Sequence, residues 1–187
     1  MPSRTQIVCL HEGKQGRSID PVFITALIKA LNPRWLRKEG SNLVRTVPCG
    51  GRKELISAMP GQLRSCLSRG ADTTLMVWAD LDDDMENGDE LKKAFWDEAQ
   101  SAGITEDEFK QAVFVFAKDR LENWIEFLLT GSTDESREGP RVKNNKQVAE
   151  AARTLADRCR GNQQGPQLPA SLVWACENWR ALVERMK

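Results

Sequence analysis

The chain lacks tyrosine and contains a single histidine, so a phosphotyrosine mechanism is excluded for this chain alone. Its five cysteines are scattered and form no C-x-x-C pair, which predicts free thiols rather than a zinc site or a disulfide framework. We expect Cys176 in particular to act as a small apolar residue on a helix. The formal net charge of +0 gives no global electrostatic attraction to nucleic acid.

Long apolar segments are also missing, because no apolar run approaches the ~20 residues needed to span a bilayer. Residues 1–4 lead directly into a predicted strand, without the apolar region of a signal peptide. We therefore expect a cytoplasmic protein with no membrane partner. The charges are unevenly distributed: residues 80–108 are acidic, whereas residues 137–160 are basic.

Strands and helices alternate along the first 131 residues. Strands are predicted at 6–10, 42–47, 73–79 and 112–117, and helices at 20–31, 52–67, 89–102 and 119–129. Pro60 predicts a kink in the second helix, or two short helices. This order predicts an α/β domain over 1–131, with a mostly parallel sheet flanked by helices. Residues 132–187 contain a polar loop and two helices, which we expect to form a C-terminal helical extension packed on or beside it.

An apolar segment that ends in carboxylates is the most informative feature of the chain. The buried strand 75–79 is followed by Asp80, Asp82, Asp83 and Asp84. Asp80 and Asp82 alternate with Leu81, so their side chains should leave a continued strand on one face. Crowded carboxylates repel each other unless a cation lies among them, which predicts a Mg²⁺ or Mn²⁺ site. Glu12, at the end of the first strand, joins this site if the two strands are neighbours.

Other interpretations of the acidic run are weaker. A calcium loop of the EF-hand type requires glycine and glutamate where this chain has Met85 and Leu91. Haloacid-dehalogenase-type phosphatases use a D-x-D pair after the first strand, whereas here it follows the third. A solvated loop that caps the next helix explains some of the acidic residues, but not a pair emerging directly from a buried strand.

Basic residues near the strand ends are candidate phosphate ligands. Arg52 and Lys53 follow Gly50-Gly51 at a helix start, where side chains and backbone N–H groups can meet an anion. The basic segment is either a nucleic-acid surface, through Arg141, Lys143, Lys146 and Arg153, or a solvated helix face. Two further residues have open roles. His11 is a general base, a phosphate contact or an ordinary strand-end histidine, and Glu122 either reaches the metal site or pairs with a neighbouring cation.

Taken in order, these motifs resemble the TOPRIM domain of topoisomerases, primases and overcoming-lysogenisation-defect nucleases. The resemblance covers residues 6–129 and is carried by a strand followed by Glu12-Gly13 and by the later Asp80-Leu81-Asp82. Gly50-Gly51-Arg52-Lys53 and 121–124 are similar to small stand-alone TOPRIM-like proteins of bacterial defence loci. The first motif lacks the aspartate that often follows its glycine, and Asp20 is a distant substitute.

The resemblance implies a TOPRIM-like fold and a Mg²⁺-dependent nuclease, acting on DNA in a bacterial defence or anti-plasmid system. Glu12, Asp80 and Asp82 would hold one or two metal ions, with Asp84 as a further ligand. The expected catalytic set is Glu12, Asp80, Asp82 and Lys118, and the expected phosphate-binding set is Lys14, Arg52, Lys53, Arg141 and Lys143. An ATPase partner encoded nearby and a homo-oligomer are both compatible with this interpretation. The alternative is a non-catalytic sensor or scaffold subunit of an ATPase-containing complex.

Overall fold

The computed structural model describes residues 7–16, 18–31, 44–70, 73–82, 85, 87–118, 120–160 and 165–185, with backbone alone for 181–185. In chain order the elements are β1 (Ile7–His11), α1 (Asp20–Leu31), β2 (Val44–Pro48), α2 (Arg52–Ser68), β3 (Thr74–Leu81), α3 (Gly88–Ser101), α4 (Glu106–Phe109), β4 (Val113–Lys118), α5 (Leu121–Thr130), α6 (Asn145–Cys159) and α7 (Ala170–Arg185). Within these ranges no helix is both long and apolar enough to cross a bilayer.

The four strands form one parallel sheet in the order β2-β1-β3-β4. The predicted α/β class is confirmed, and so is the expectation that β1 and β3 are neighbours. Parallel strands require crossover connections, and the helices of these crossovers cover both faces of the sheet. The carboxyl ends of all four strands consequently lie along one edge, where functional groups of such sheets collect.

Two hydrophobic clusters fill the two faces of the sheet. One contains apolar residues of α1, α5, α6 and α7, with Phe23, Trp78, Trp124 and Trp179 at its centre. The other contains residues of α2, α3 and α4. Strand side chains alternate between the two clusters, as a period of two requires. The helices after residue 131 thus share a core with the sheet rather than forming one of their own.

Helix α7 lies against the edge strand β4 and contributes side chains to the hydrophobic clusters on both faces of the sheet. Leu172 and Trp179 belong to the first cluster, whereas Trp174 packs on the second. Leu172, Cys176 and Trp179 of this helix are buried, which agrees with the apolar role expected for Cys176 on a helix. An uncovered edge strand presents unpaired backbone groups, and covering it with a helix removes that hazard.

Two expectations about local structure were wrong. Pro60 does not divide α2, which continues from Arg52 to Ser68 with Pro60 buried inside it. The apolar residues Leu55, Met59 and Leu63 anchor this helix on the sheet, and that packing outweighs one lost hydrogen bond. In addition, the short helix α4 was missed, although Thr105 and Glu108 form a capping box at its start.

The expectation of free thiols was wrong for two of the five cysteines. Cys159 and Cys176 form a disulfide that joins α6 to α7, with their Cα atoms 5.6 Å apart. Cys9, Cys49 and Cys66 are free. No pattern in the sequence indicates this bond, because the pair is 17 residues apart and meets through the packing of two helices.

Asn123 ties the loop after α5 to the core, and this buried side chain generates a prediction. Its Nδ2 donates to the carbonyls of Asp134 (3.0 Å) and Arg137 (2.7 Å), and its Oδ1 accepts from the Gly139 N–H (2.7 Å). Asn123→Ala leaves these backbone groups without partners, so we expect the free energy of unfolding to fall by about 2–4 kcal/mol. Urea denaturation measures this loss.

The control is Asn145→Ala, at an exposed position of α6, which we expect to change stability by less than about 0.5 kcal/mol. Equal stability of the two variants would contradict the anchoring role of Asn123.

Candidate functional site

The end of β3 places Asp80 on the face of the first hydrophobic cluster. Met76 and Trp78 precede it on that face, and alternation directs Asp80 the same way. Its partner in β4 is Ala117, a small residue. In β1 the register pairs His11 with Trp78, so the chain beyond β1 passes beside Asp80 as Glu12-Gly13. The small side chains on either side leave space around the Asp80 carboxylate.

Asp80 is half-buried and surrounded by other carboxylates. Its pKa lies well above the usual range because the surrounding protein removes water from it and because Asp20, Glu12 and Glu122 repel its charge. Arg120 opposes this effect. A carboxylate in this state takes up a proton readily unless a cation compensates for its charge.

Asp20 and Glu122 are members of this group, and the sequence did not assign them with certainty. Burial raises the pKa of Asp20 to about 6, and Glu122 and Glu12 contribute by repulsion. Asp20 begins α1, which returns to the sheet directly after β1, so a residue distant from Glu12-Gly13 in sequence lies close to it in the fold. The sequence left open whether Glu122 reaches the acidic site or pairs with a neighbouring cation. The structure places Glu122 in the acidic site, beside Asp80.

A cavity of about 490 Å³ contains these carboxylates and will be called the Asp80 cavity. Its charged lining residues are Asp20, Asp80 and Glu122 together with Lys14, Arg120, Arg141 and Lys143. Three residues predicted to bind phosphate are thus brought together around Asp80, although they come from the loop after β1 and from the segment before α6. Arg153 instead lines a separate depression between α1 and α6, and Lys146 is exposed near the start of α6.

Arg52 occupies the space between two other carboxylates. Its Nε lies 3.2 Å from Glu12 Oε1, its Nη1 lies 2.6 Å from Asp82 Oδ2, and its Nη2 donates to the Asp80 carbonyl. The turn before it is tied to β1, because the Cys49 N–H donates to the His11 carbonyl at 2.9 Å. Burial raises the pKa of Glu12, and the Arg52 charge partly offsets the effect. The guanidinium predicted to meet phosphate is therefore engaged with carboxylates.

The other predicted site residues lie apart from the Asp80 cavity. Lys118 Nζ donates to the carbonyls of Met85 (2.6 Å) and Asp82 (3.2 Å), so it holds the segment after β3. Lys53 is exposed on the first turn of α2. Asp84, predicted as a metal ligand, lies outside the described residues.

In the described part of the chain, no three His, Cys, Asp or Glu side chains are grouped so that they could hold a metal ion. The physical reason is the division of the acidic residues: Arg52 holds Glu12 and Asp82, whereas Asp80 faces Asp20 and Glu122. The predicted triad Glu12, Asp80 and Asp82 converges on one sheet edge but does not form a common ligand cluster in this arrangement.

His11 is buried beneath the rim of the Asp80 cavity. Neither ring nitrogen has a hydrogen-bond partner among the described protein atoms, and burial lowers the pKa of the imidazole. A Cβ added to Gly13 would lie 2.8 Å from His11 Nδ1 and 2.4 Å from Ser18 Oγ, so Gly13 permits this close approach. Among the described residues, His11 therefore lacks the hydrogen-bond partner that an ordinary strand-end histidine would have.

Comparisons with protein-family models, curated proteins and solved structures found no significant match to the chain. The TOPRIM resemblance therefore rests on the motif residues and on the order of the elements. A parallel α/β fold supports many unrelated functions, so function has to be inferred from the site.

The crowded carboxylates predict an unusual effect of pH on stability. A carboxyl whose folded-state pKa is raised stabilises the fold when protonated, and that contribution is lost as pH rises through the folded pKa. For Asp20, the change from 3.8 to about 6 corresponds to at most about 3 kcal/mol. We expect Asp20→Asn to raise the free energy of unfolding at pH 7.5 by about 1–3 kcal/mol in metal-free buffer, and to have little effect at pH 4.

Thermal melts across this pH range measure the difference, at about 2–4 °C per kcal/mol for a chain of this size. Asp107→Asn, at an exposed position, is the matched control and should shift stability by less than about 0.5 kcal/mol. Destabilisation of the Asp20 variant at pH 7.5 would show that the charged carboxylate is favourable there.

Proposed function

We propose that the chain is a metal-dependent nuclease that hydrolyses phosphodiester bonds, with DNA as its substrate, in a bacterial defence system. The observation that carries this proposal is the composition of the Asp80 cavity. Carboxylates lie beside a set of four basic side chains in one depression at the carboxyl edge of a parallel sheet. An ATPase encoded nearby is the partner that the TOPRIM resemblance implies.

The basic side chains supply the binding step. Arg141 and Lys143 are exposed, and Lys14 joins them at the same cavity, so all three can reach a phosphate backbone from solution. Arg120 is half-buried and acts electrostatically on Asp80, which places a fixed positive charge near the carboxylates. Phosphate contacts of this kind position a nucleic acid without reading its sequence.

The donor set of the cavity fits a magnesium or manganese ion. Mg²⁺ is usually held by one or two carboxylates together with water and substrate phosphates, so a three-residue cluster is not required. Asp80 and one of its neighbours, Asp20 or Glu122, satisfy that need, and their mutual repulsion favours a cation. When bound, such an ion polarises the phosphoryl oxygen and lowers the pKa of an attacking water.

The chain's own residues bind and orient the substrate, and Asp80 can hold or release a proton. Burial keeps Asp80 ready to take up a proton when no cation is near, and a bound cation would release that proton. The contacts of Arg52 with Glu12, Asp82 and the Asp80 carbonyl will be called the Arg52 bridge. This bridge holds the end of β3 against the start of α2. It fixes the backbone of Asp80, because Arg52 donates a hydrogen bond to the Asp80 carbonyl. These contacts pre-organise the cavity before substrate arrives.

A second candidate function is favoured by the same Arg52 bridge. The Arg52 guanidinium already neutralises Glu12 and Asp82, which is the charge compensation expected of a metal ion. In this alternative, the TOPRIM-like fold is a non-catalytic sensor or scaffold for an ATPase, and the Asp80 cavity binds a phosphate group without cleaving it.

Cleavage assays separate the two functions. We expect the chain, alone or with the ATPase encoded nearby, to cleave labelled DNA when Mg²⁺ or Mn²⁺ is added. Asp80→Asn should lower the rate by at least about 100-fold, since even a residue that only orients a metal ligand through a hydrogen bond contributes about 10–100-fold. Asp97→Asn, on the exposed side of α3, is the control. Metal should also raise the melting temperature of the wild type, and less that of Asp80→Asn.

No cleavage of DNA or RNA under any of these conditions, combined with no stabilisation by metal, would contradict the nuclease and support the scaffold.

The salt dependence of DNA binding tests the role of Arg141 and Lys143, which will be called the basic rim of the Asp80 cavity. In metal-free buffer, each lost phosphate contact should reduce the slope of log affinity against log salt by about 0.9 on duplex DNA. We therefore expect the double variant Arg141→Gln/Lys143→Gln to reduce this slope by about 1.8. Fluorescence anisotropy with a labelled duplex measures it.

The control is Lys146→Gln/Arg153→Gln, which removes the same charge from the same segment but away from the Asp80 cavity. Equal slopes for the two double variants would assign the effect to overall charge and contradict a role for the rim.

A further inference from the structure

A second cavity, of about 530 Å³, lies on the other face of the same strand ends and will be called the Trp174 cavity. Its lining includes Leu81, Phe116, Glu135, Ala170, Ser171 and Trp174. Its volume is that of a small-molecule site, and its combination of apolar walls with few polar groups is typical of one.

One wall of the Trp174 cavity carries the half-buried Trp174 indole, which is supported from behind by Phe116. The rings of Phe116 and Trp174 stack with centroids 5.1 Å apart at an interplanar angle of 16°. Gly88 allows the indole to approach closely, since a Cβ there would lie 2.8 Å from two atoms of its ring. Leu81 continues the apolar surface from the end of β3. These contacts fix the wall, so a planar ligand would meet a preformed surface.

The opposite side of the cavity carries an oriented carboxylate. Ser171 donates a hydrogen bond to Glu135 Oε1 and accepts one from Trp124 Nε1 at 2.8 Å, which fixes the direction of the Ser171 hydroxyl. Glu135 is half-buried, and burial raises its pKa. A carboxylate held in this way can accept N–H groups from a ligand.

The two cavities are separated only by the strand ends. Asp80 lines one cavity and its neighbour Leu81 the other, because successive strand side chains point to opposite faces. After β4, Lys118 lines the Trp174 cavity and Arg120 lines the Asp80 cavity. Because Asp80 and Leu81 are adjacent, both cavities adjoin the end of β3, and a strand that binds in one can extend towards the other.

We propose that the Trp174 cavity binds a nucleobase of the substrate strand, with preference for bases that carry an exocyclic amino group. The inference rests on the proposed function, because the neighbouring phosphate site gives the ligand its class. Stacking surfaces combined with hydrogen-bonding groups are how proteins bind unpaired bases. Guanine, adenine and cytosine offer an exocyclic amino group to Glu135, whereas thymine offers only its N3–H, whose two flanking carbonyl oxygens repel a carboxylate.

Nucleosides test this cavity without using the phosphate site. Saturation-transfer NMR on the metal-free full chain, with guanosine, adenosine, cytidine and thymidine as probes, should show binding of the first three and weaker binding of thymidine. Ala170→Phe places a ring at an exposed lining position and should weaken nucleoside binding at least about tenfold, whereas Val173→Phe on the outer face of the same helix should not. Glu135→Gln should reduce the discrimination against thymidine.

A single-stranded oligonucleotide then distinguishes a strand base from a free nucleotide. Its affinity should fall in Ala170→Phe and stay unchanged in Val173→Phe. A loss confined to free nucleosides would overturn the assignment to the substrate strand. Absence of nucleoside binding in a chain that still cleaves DNA would overturn the inference and leave the proposed nuclease intact. Nucleoside binding that Ala170→Phe abolishes, in a chain that never cleaves, would support the base site and count against the nuclease.

Discussion

The parallel pairing of β1 with β3 is the constraint on which the candidate site depends. It brings the two acid-bearing strand ends together, and the start of α1 and of α5 add Asp20 and Glu122 beside Asp80. Several carboxylates in one partly dehydrated place oppose folding, because each disfavours the charge of the others. Such an arrangement persists only where the rest of the fold over-determines it, and here two hydrophobic clusters on the sheet faces do so.

Two arginines divide the acidic residues into two unequal parts. Arg52 makes direct ion pairs with Glu12 and Asp82, so that part is electrostatically satisfied. Arg120 acts on Asp80 at longer range, and Asp80 and Asp20 keep raised pKa values despite it. A cation arriving from solution therefore gains more beside Asp80 than beside Asp82. This difference moves the proposed metal position away from Asp82 and towards Asp20 and Glu122, which lie beside Asp80.

The sequence predicted the architecture well because its signals were local. Hydrophobic periodicity and the turn residues between segments located each of the four strands within one or two residues. The predicted start of α1 at Asp20-Pro21 and its end at Leu31 also agree with the structure. The chemistry was predicted less completely, since it depends on which charges meet in space. Lys14, Arg141 and Lys143 line one cavity with Asp80, and no pattern in the sequence reveals that Arg52 spans from Glu12 to Asp82. The Cys159–Cys176 bond was missed for the same reason.

The C-terminal helices are better regarded as part of the sheet domain than as an extension of it. Helix α6 packs against α1 and α5 inside the first cluster, and α7 covers the edge of β4 while supplying Trp174 to the opposite face. The segment before α6 supplies Arg141 and Lys143 to one cavity, and the start of α7 supplies Ala170 and Ser171 to the other. Both cavities are consequently incomplete without residues 132–187. A unit ending at residue 131 would keep the carboxylates but lose Arg141 and Lys143 from one cavity and Trp174 from the other, so the completeness of both cavities depends on the C-terminal helices.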